Sequence, residues 1–226
     1  MKTLIALSLC AASACAVSQP ARLLKVDAKV GVTYRYHLTT DMSSPDGKST
    51  MGFVATYTEK LFSKKANEFV WDSEFKVPST YATGEAKGQD GNFKQLDNVK
   101  MRLVSDAQGQ TKRVEMGGIV VPSSGTPNVT FSKKPVKVGD RWMAVVDVQS
   151  QKIKIEYRLA KYMTQGKRNV AVIEGWYQDA PMIKQTTPVT FWVDVKDGKM
   201  VRASADLAFA TAGRTLRMKY LLTLKS

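Results

Sequence analysis

Between Val32 and Leu224 apolar residues return at every second position, run after run. That period places alternate side chains on opposite faces of an extended strand, and it does not fit the 3.6-residue period of a helix. In Val32–Thr40, Val32, Tyr34, Tyr36 and Leu38 share one face, while Thr33, Arg35, His37 and Thr39 take the other. A turn by composition, Ser43-Ser44-Pro45-Asp46-Gly47-Lys48, follows. Beyond it Met51, Phe53, Ala55 and Tyr57 share a side. Then Phe69, Trp71, Ser73, Phe75 and Val77 oppose Val70, Asp72, Glu74 and Lys76. Three strands with short connections form an antiparallel meander.

The polar stretch Thr80–Asn98 reads as a mobile loop. A hairpin comes next, Lys100–Ser105 and Thr111–Met116 about a turn at Ala107-Gln108-Gly109-Gln110. Gly117–Thr126 reads as another loop, and Asn128-Val129-Thr130 as a short strand. Trp142–Val148 is a strand, turning at Gln149-Ser150-Gln151. Ile153, Ile155, Tyr157 and Leu159 then alternate with Lys152, Lys154, Glu156 and Arg158. Asn169–Tyr177 is apolar on both faces, the mark of a central, doubly covered strand.

The last hairpins allow a register to be argued. Val189, Phe191, Val193 and Val195 face one way, and so do Val201, Ala203, Ala205 and Leu207. A two-residue Asp-Gly turn would oppose Val193 to Arg202. A three-residue loop opposes Val193 to Val201 and Phe191 to Ala203, with Gly198 in the left-handed region. The final strand carries Leu216, Met218, Tyr220, Leu222 and Leu224, joined by an even-length loop, so that Ala203 and Ala205 face Leu222 and Tyr220.

The expected fold is all-β and antiparallel, with about 10–12 strands by the count of alternating runs. It is either one strongly curved sheet or a two-sheet sandwich. Lys-Val-Gly occurs at Lys29-Val30-Gly31 and again at Lys137-Val138-Gly139, each followed after two residues by an aromatic, Tyr34 or Trp142. The chain therefore reads as one β domain, 17–226, with two similar halves at about 29–116 and 127–225.

Before that domain, Met1-Lys2, the apolar run Thr3–Leu9 and Ala14-Cys15-Ala16 compose a secretory signal peptide, residues 1–16. The alternative is lipoprotein processing at Cys15. Both cysteines, Cys10 and Cys15, lie in this segment, so the exported domain has no disulfide and depends on a hydrophobic core. No later run is apolar enough to span a membrane as a helix.

The net charge is +14, from 34 Lys+Arg against 20 Asp+Glu. It favours anionic partners: a lipid or another anionic envelope component, with nucleic acid excluded for want of a recognition motif. Lys152, Lys154 and Arg158 form a basic stripe on one strand face. His37 is the sole histidine and has no evident catalytic partner; no nucleophile elbow, phosphate loop or metal-ligand cluster is present. Asp72 and Glu74 share a strand face without further glycosidase-like context. No cofactor, metal or catalytic residue is expected, and the protein reads as a non-enzyme.

At Pro135–Trp142, with its Val-Lys-Val-Gly-Asp-Arg-Trp, and again at Phe191–Val201, with its Asp-Gly-Lys, the chain resembles a loose group of exported bacterial β-proteins. Their sheets are similar to those of periplasmic lipoprotein carriers of the LolA/LolB type. The resemblance implies a curved antiparallel sheet with acyl chains held on its concave face, and it transfers no functional residue. The first function expected is an exported binding or carrier protein for a lipid-like or anionic amphipathic ligand, on a surface made by Tyr34, Tyr36, Phe53, Tyr57, Trp71, Phe191, Ala203, Ala205 and Tyr220. The second is a structural or interaction protein of the cell envelope, with a basic outer face and no ligand cavity. An apolar cleft of a few hundred Å³ separates the two.

Overall fold

The computed structural model describes residues 20–121, 128–148, 151–211 and 214–225. The signal segment, Cys10 and Cys15 lie outside them, as does most of the expected turn at 149–151. Thirteen strands form one antiparallel sheet: β1 Thr33–Ser43, β2 Thr50–Lys65, β3 Glu68–Thr83, β4 Lys100–Ser105, β5 Thr111–Met116, β6 Ile119–Val121, β7 Arg141–Val148, β8 Gln151–Gln165, β9 Arg168–Gln178, β10 Ile183–Gln185, β11 Val189–Asp194, β12 Met200–Thr211 and β13 Arg214–Leu224. The order across the sheet is β6-β5-β4-β3-β2-β1-β13-β12-β11-β9-β8-β7, with β10 attached to β12. The chain begins mid-sheet at β1 and meanders out to the edge strand β6. It crosses to the opposite edge at β7 and meanders back to β13, which pairs with β1.

This is a single unclosed sheet rather than a sandwich. Its curvature brings its two ends together: Gln110, in the β4–β5 turn, donates from its side-chain amide to the Val145 carbonyl of β7 at 2.9 Å. One face is thereby turned inward along its whole length. Apolar positions of β1–β5, β7–β9 and β11–β13 form one continuous core on it.

Most expected pairings are present. Phe191 faces Ala203, Ala203 faces Leu222 and Ala205 faces Tyr220. Gly198 has φ +67°. The loop before it is longer than expected, however. Asp194 and Lys199 close it, Val193 pairs with Met200, and Val201 is absorbed in a bulge where Val193–Val201 pairing was expected. Other expectations are corrected. The loop over 80–98 gives way to β3 continuing to Thr83, a 3-10 turn at Gly84–Ala86 and one helical turn, α1, at Gly91–Lys94, whose Phe93 packs on Phe53. Gly117–Thr126 contains β6, which pairs with β5. Asn128–Thr130 is not a strand; Val129 and the following Phe131 are core residues of the crossover.

The two Lys-Val-Gly entrances have the same geometry. Val32 N–H donates to the Lys29 carbonyl, and Asp140 N–H to that of Lys137. Gly31 (φ +85°) donates to Leu61, Gly139 (φ +95°) to Leu159, each at 2.8 Å, and each leucine amide returns a bond to Val32 or Asp140. The register slips immediately after each leucine, between Leu61 and Ser63 and between Leu159 and Lys161. Tyr34 and Trp142 each lie on the inner face of the strand that follows their entrance, β1 and β7.

Two segments outside the sheet cover one end of the inner face. The lead-in, 20–30, buries Leu24, Val26 and Ala28 in the core. It is fixed by paired bonds between Arg22 and Val136 and by single bonds from Val26 to Ala107 and from Asp27 to Asp197. The crossover, 128–138, buries Val129, Phe131 and Val136 beside it. Gly198 lies so close to the lead-in that a Cβ would stand 2.1 Å from the Lys25 carbonyl oxygen.

Candidate functional site: the inner face of the sheet

The end of the sheet crossed by the lead-in, the near end, begins β1 and ends β2, β8, β11 and β13. Here the inner face is sealed. Tyr34, Tyr36, Tyr57, Trp71, Tyr157, Leu159, Phe191, Val193 and Ala203 are all buried. The Tyr36 and Tyr57 rings stack at 5.9 Å, Tyr34 and Trp71 tilt at 6.3 Å, and Phe191 meets Tyr157 at 6.1 Å.

A buried ion pair is set into this aromatic wall. Lys199 donates to Glu59 at 2.6 Å, with the two side chains only 11% and 6% exposed. The same ammonium lies 4.0 Å from the centre of the Trp71 ring and 5.1 Å from that of Tyr34, a cation over two π faces. The Tyr57 hydroxyl donates to the other Glu59 oxygen at 2.6 Å, with Ser73 Oγ 3.2 Å away. Tyr34 donates to Asp197, which ties the β11–β12 loop to β1. Burial, reinforced by the charge of Glu59, pushes the Tyr36 and Tyr57 hydroxyls well above the ordinary tyrosine range. The Tyr36 hydroxyl has no hydrogen-bond partner among the described residues. It borders a cavity of about 50 Å³ shared with Tyr57, Glu59, Trp71, Ser105 and Lys199. A buried water needs about 10–15 Å³ on that measure, so the space suits a few waters and no acyl chain.

Towards the other end, the far end, the inner face opens. On β1 burial gives way from Tyr36 to the half-buried Leu38. On β12 it gives way from Leu207 to Phe209, on β9 from Ile173 to Tyr177, and on β13 from Leu222 to Tyr220 and Met218. Phe75 and Ile183 are likewise half-buried. On β1–β3 this face is covered by the α1 segment, whose Phe93 packs with Leu38 and Phe75 on the buried Phe53, Ala55 and Val77. On β9, β12 and β13 it is an apolar floor with half-buried side chains. Burial pushes the hydroxyls of Tyr177 and Tyr220 above their ordinary value.

Of the residues expected to line a ligand surface, Tyr34, Tyr36, Tyr57, Trp71, Phe191, Ala203 and Ala205 belong to the buried inner core, and Tyr220 packs against it at the opening. Phe53 lies farther along the same face, in a small buried cluster with Ala55 and Val77 that Leu38 and Phe75 join to the main core. The stripe Lys152, Lys154 and Arg158 is on the outer face of β8. Lys154 is 3.2 Å from Asp179, and Arg158 holds Glu174 with two bonds of 2.7 and 3.1 Å. Asp72 is bonded to Arg102 at 2.9 Å, within a cross-strand row of alternating charge, Lys60, Asp72, Arg102 and Glu115. His37 is half-buried on the outer face. Among the described residues there is no group of three or more metal-binding side chains, and no helix is long and apolar enough to cross a membrane.

Sequence reasoning missed Glu59, Lys199 and the lead-in. The alternation Leu24-x-Val26-x-Ala28 was a usable signal for the lead-in. No local signal joins Glu59 to Lys199.

No family model matches the chain, and no curated protein matches it. Solved structures similar to it include a DUF1329 family protein from Desulfovibrio piger, 12% identical, with a TM-score of 0.30, covering 87% of this chain and 85% of that one. They also include a domain described as an outer membrane lipoprotein-sorting protein, from Vibrio parahaemolyticus (8% identical, TM-score 0.32, 88% and 86% covered). A third is an exported protein with a YmcC-like fold from Bacteroides fragilis (10% identical, TM-score 0.34, 90% and 100% covered).

Proposed function

We propose that this chain is an exported binding protein that holds the apolar part of a lipid-like or amphipathic ligand on the far half of its concave face. The observation that carries this reading is the gradient of burial along one continuous inner surface. The near half is packed to a residual 50 Å³, while on β9, β12 and β13 Tyr177, Phe209, Met218 and Tyr220 continue the same apolar face half-exposed. A ligand laid there extends the core outward and removes apolar area from water, about 25 cal/mol for each Å². The neutral hydroxyls of Tyr177 and Tyr220, on this half of the face, supply hydrogen bonds to a polar head without demanding a charge on it.

The second reading, an envelope interaction protein without a ligand cavity, is favoured by the filled near half. A fluorescent C16 fatty acid distinguishes them. Saturable binding that Phe209→Glu and Met218→Glu abolish, and Lys154→Glu leaves alone, supports the far-half site. Absence of binding to the folded wild type, with no lipid retained in native mass spectrometry, overturns it in favour of the second reading.

A further inference from the structure

The unpaired positive charge gathers at one end of the molecule. The near end carries the turns between β2 and β3, β8 and β9, and β11 and β12, the lead-in and the crossover. Lys25, Lys133, Lys134, Lys137, Lys167 and Lys196 are all exposed there, and none has a carboxylate within ion-pair distance among the described residues. Three acids of that end are already paired with a cation. Asp27 holds Lys64, Asp106 holds Lys112, and Asp194 holds Arg168. Asp197 and Asp140 accept only from neutral donors, the Tyr34 hydroxyl and the Lys137 amide, so with Glu68 they are the three acids against these six lysines that no cation pairs among the described residues. At the far end Asp46, Glu85, Asp90, Asp97 and Asp179 stand among the lysines, and the two signs are mixed.

Large apolar side chains are exposed within the basic group, among them Leu23 and Val138. Leu23 is 49% exposed and Val138 45%. Both lie where the lead-in and the crossover bond to each other, since Arg22 and Val136 exchange backbone bonds of 2.8 and 2.9 Å. The chain preceding Pro20 enters the fold two residues before that contact. The segment read as the export signal, with Cys15 as its alternative lipid anchor, is therefore joined to the molecule at this end.

We propose that the near end is a docking surface for an anionic lipid bilayer. The lysines of the lead-in and crossover lie against the head groups, and Leu23 and Val138 enter the interfacial layer. Unlike the stripe on β8, whose Lys154 and Arg158 are matched by Asp179 and Glu174, these lysines have charge to give to a partner. A bilayer fits better than a polyanionic chain, because cations from four separate segments share one end with exposed aliphatic side chains and with the attachment of the N-terminal segment. Docked this way, the half-open far end points away from the membrane.

The test is flotation of the exported protein with vesicles of phosphatidylcholine containing about one third phosphatidylglycerol. The protein is expected to float with these vesicles at low salt, to be released as salt rises, and to ignore pure phosphatidylcholine. Lys133→Glu/Lys134→Glu/Lys137→Glu is expected to weaken binding at least about a hundredfold, at roughly one factor of five for each lysine removed. Lys152→Glu/Lys154→Glu is expected to keep full binding. Circular dichroism confirms that both variants fold. Equal binding by the crossover variant, or a loss reproduced by the β8 variant, overturns the proposal. So does retention on heparin or DNA by a protein that floats with neither kind of vesicle. Fatty-acid binding at the far half is read separately, so the failure of either proposal leaves the other standing.

Discussion

Lys199 and Glu59 lie 140 residues apart in the chain and meet with their side chains almost fully buried. A buried pair of this kind is worth little against a well-packed apolar substitute, but removing one partner strands the other charge. Lys199→Met is therefore expected to cost about 3–5 kcal/mol in urea unfolding, and Lys199→Met/Glu59→Gln distinctly less. The tyrosines give a pH signature. In the unfolded chain they ionise near pH 10, whereas Tyr36, Tyr57 and Tyr220 resist ionisation in the fold, chiefly through burial. A raised folded value means that this stability is complete below about pH 10 and is lost as the pH rises towards the folded values. Tyrosinate absorbance should rise in two steps, the second coinciding with loss of the strand signal in circular dichroism. A single step with the strand signal intact would contradict the buried environment. Identity alone identified Tyr36 and Tyr57 as inward-facing, because period two settles which face a side chain takes. It could not mark Glu59, which sits on the same face as Tyr57 and looks, in sequence, like a charged residue breaking the pattern.

The elements most legible in the sequence were the hairpins, because an error of one residue would turn every apolar side chain to the wrong face. The Ala203–Leu222 and Ala205–Tyr220 pairings follow from that constraint alone. The bulge at Val201 did not, since absorbing one residue beside a turn leaves the alternation on either side intact. Nor did the role of 20–30 as a covering strap: a single extended segment without a flanking turn has no partner written beside it. The entrances offer a test of equivalence. Gly31 and Gly139 both have positive φ and open space where a Cβ would go, so Gly→Ala meets backbone strain without collision. Each substitution is expected to cost about 1–2 kcal/mol, nearly equally. Asn at either position should recover part of the loss. A cost at one position alone would argue against equivalent halves. Gly198→Ala should cost more than either, since it drives the lead-in away from its seat.

At the scale of the molecule, an all-β antiparallel architecture was readable from the repeated period, but the choice between a curved sheet and a sandwich was not. Both bury one face of each strand. What decides between them is which strands sit side by side, and the pairing of β1 with β13 depends on residues from opposite ends of the sequence. That pairing also joins the two halves, which we propose are equivalent units repeated along the sheet. A protease site inserted between Val121 and Asn128 should accordingly permit a cut that leaves both pieces together. Co-elution of the two as one species, with unchanged circular dichroism, is the expected result. Separation of the pieces would mean that the continuous crossover, rather than β1–β13 and the shared core, unites the halves.

The same neighbouring of first and last strands governs when this protein can become itself. A chain delivered N-terminus first presents Tyr36 long before Leu224 exists to lie beside it, and β7–β12 are made before the last strand reaches the middle of the sheet. Closing so long a loop is entropically costly and slow. Until then β1 lacks its β13 partner along one edge. Maturation is thus timed by the arrival of the C-terminal eleven residues of β13 rather than by any local event near the start.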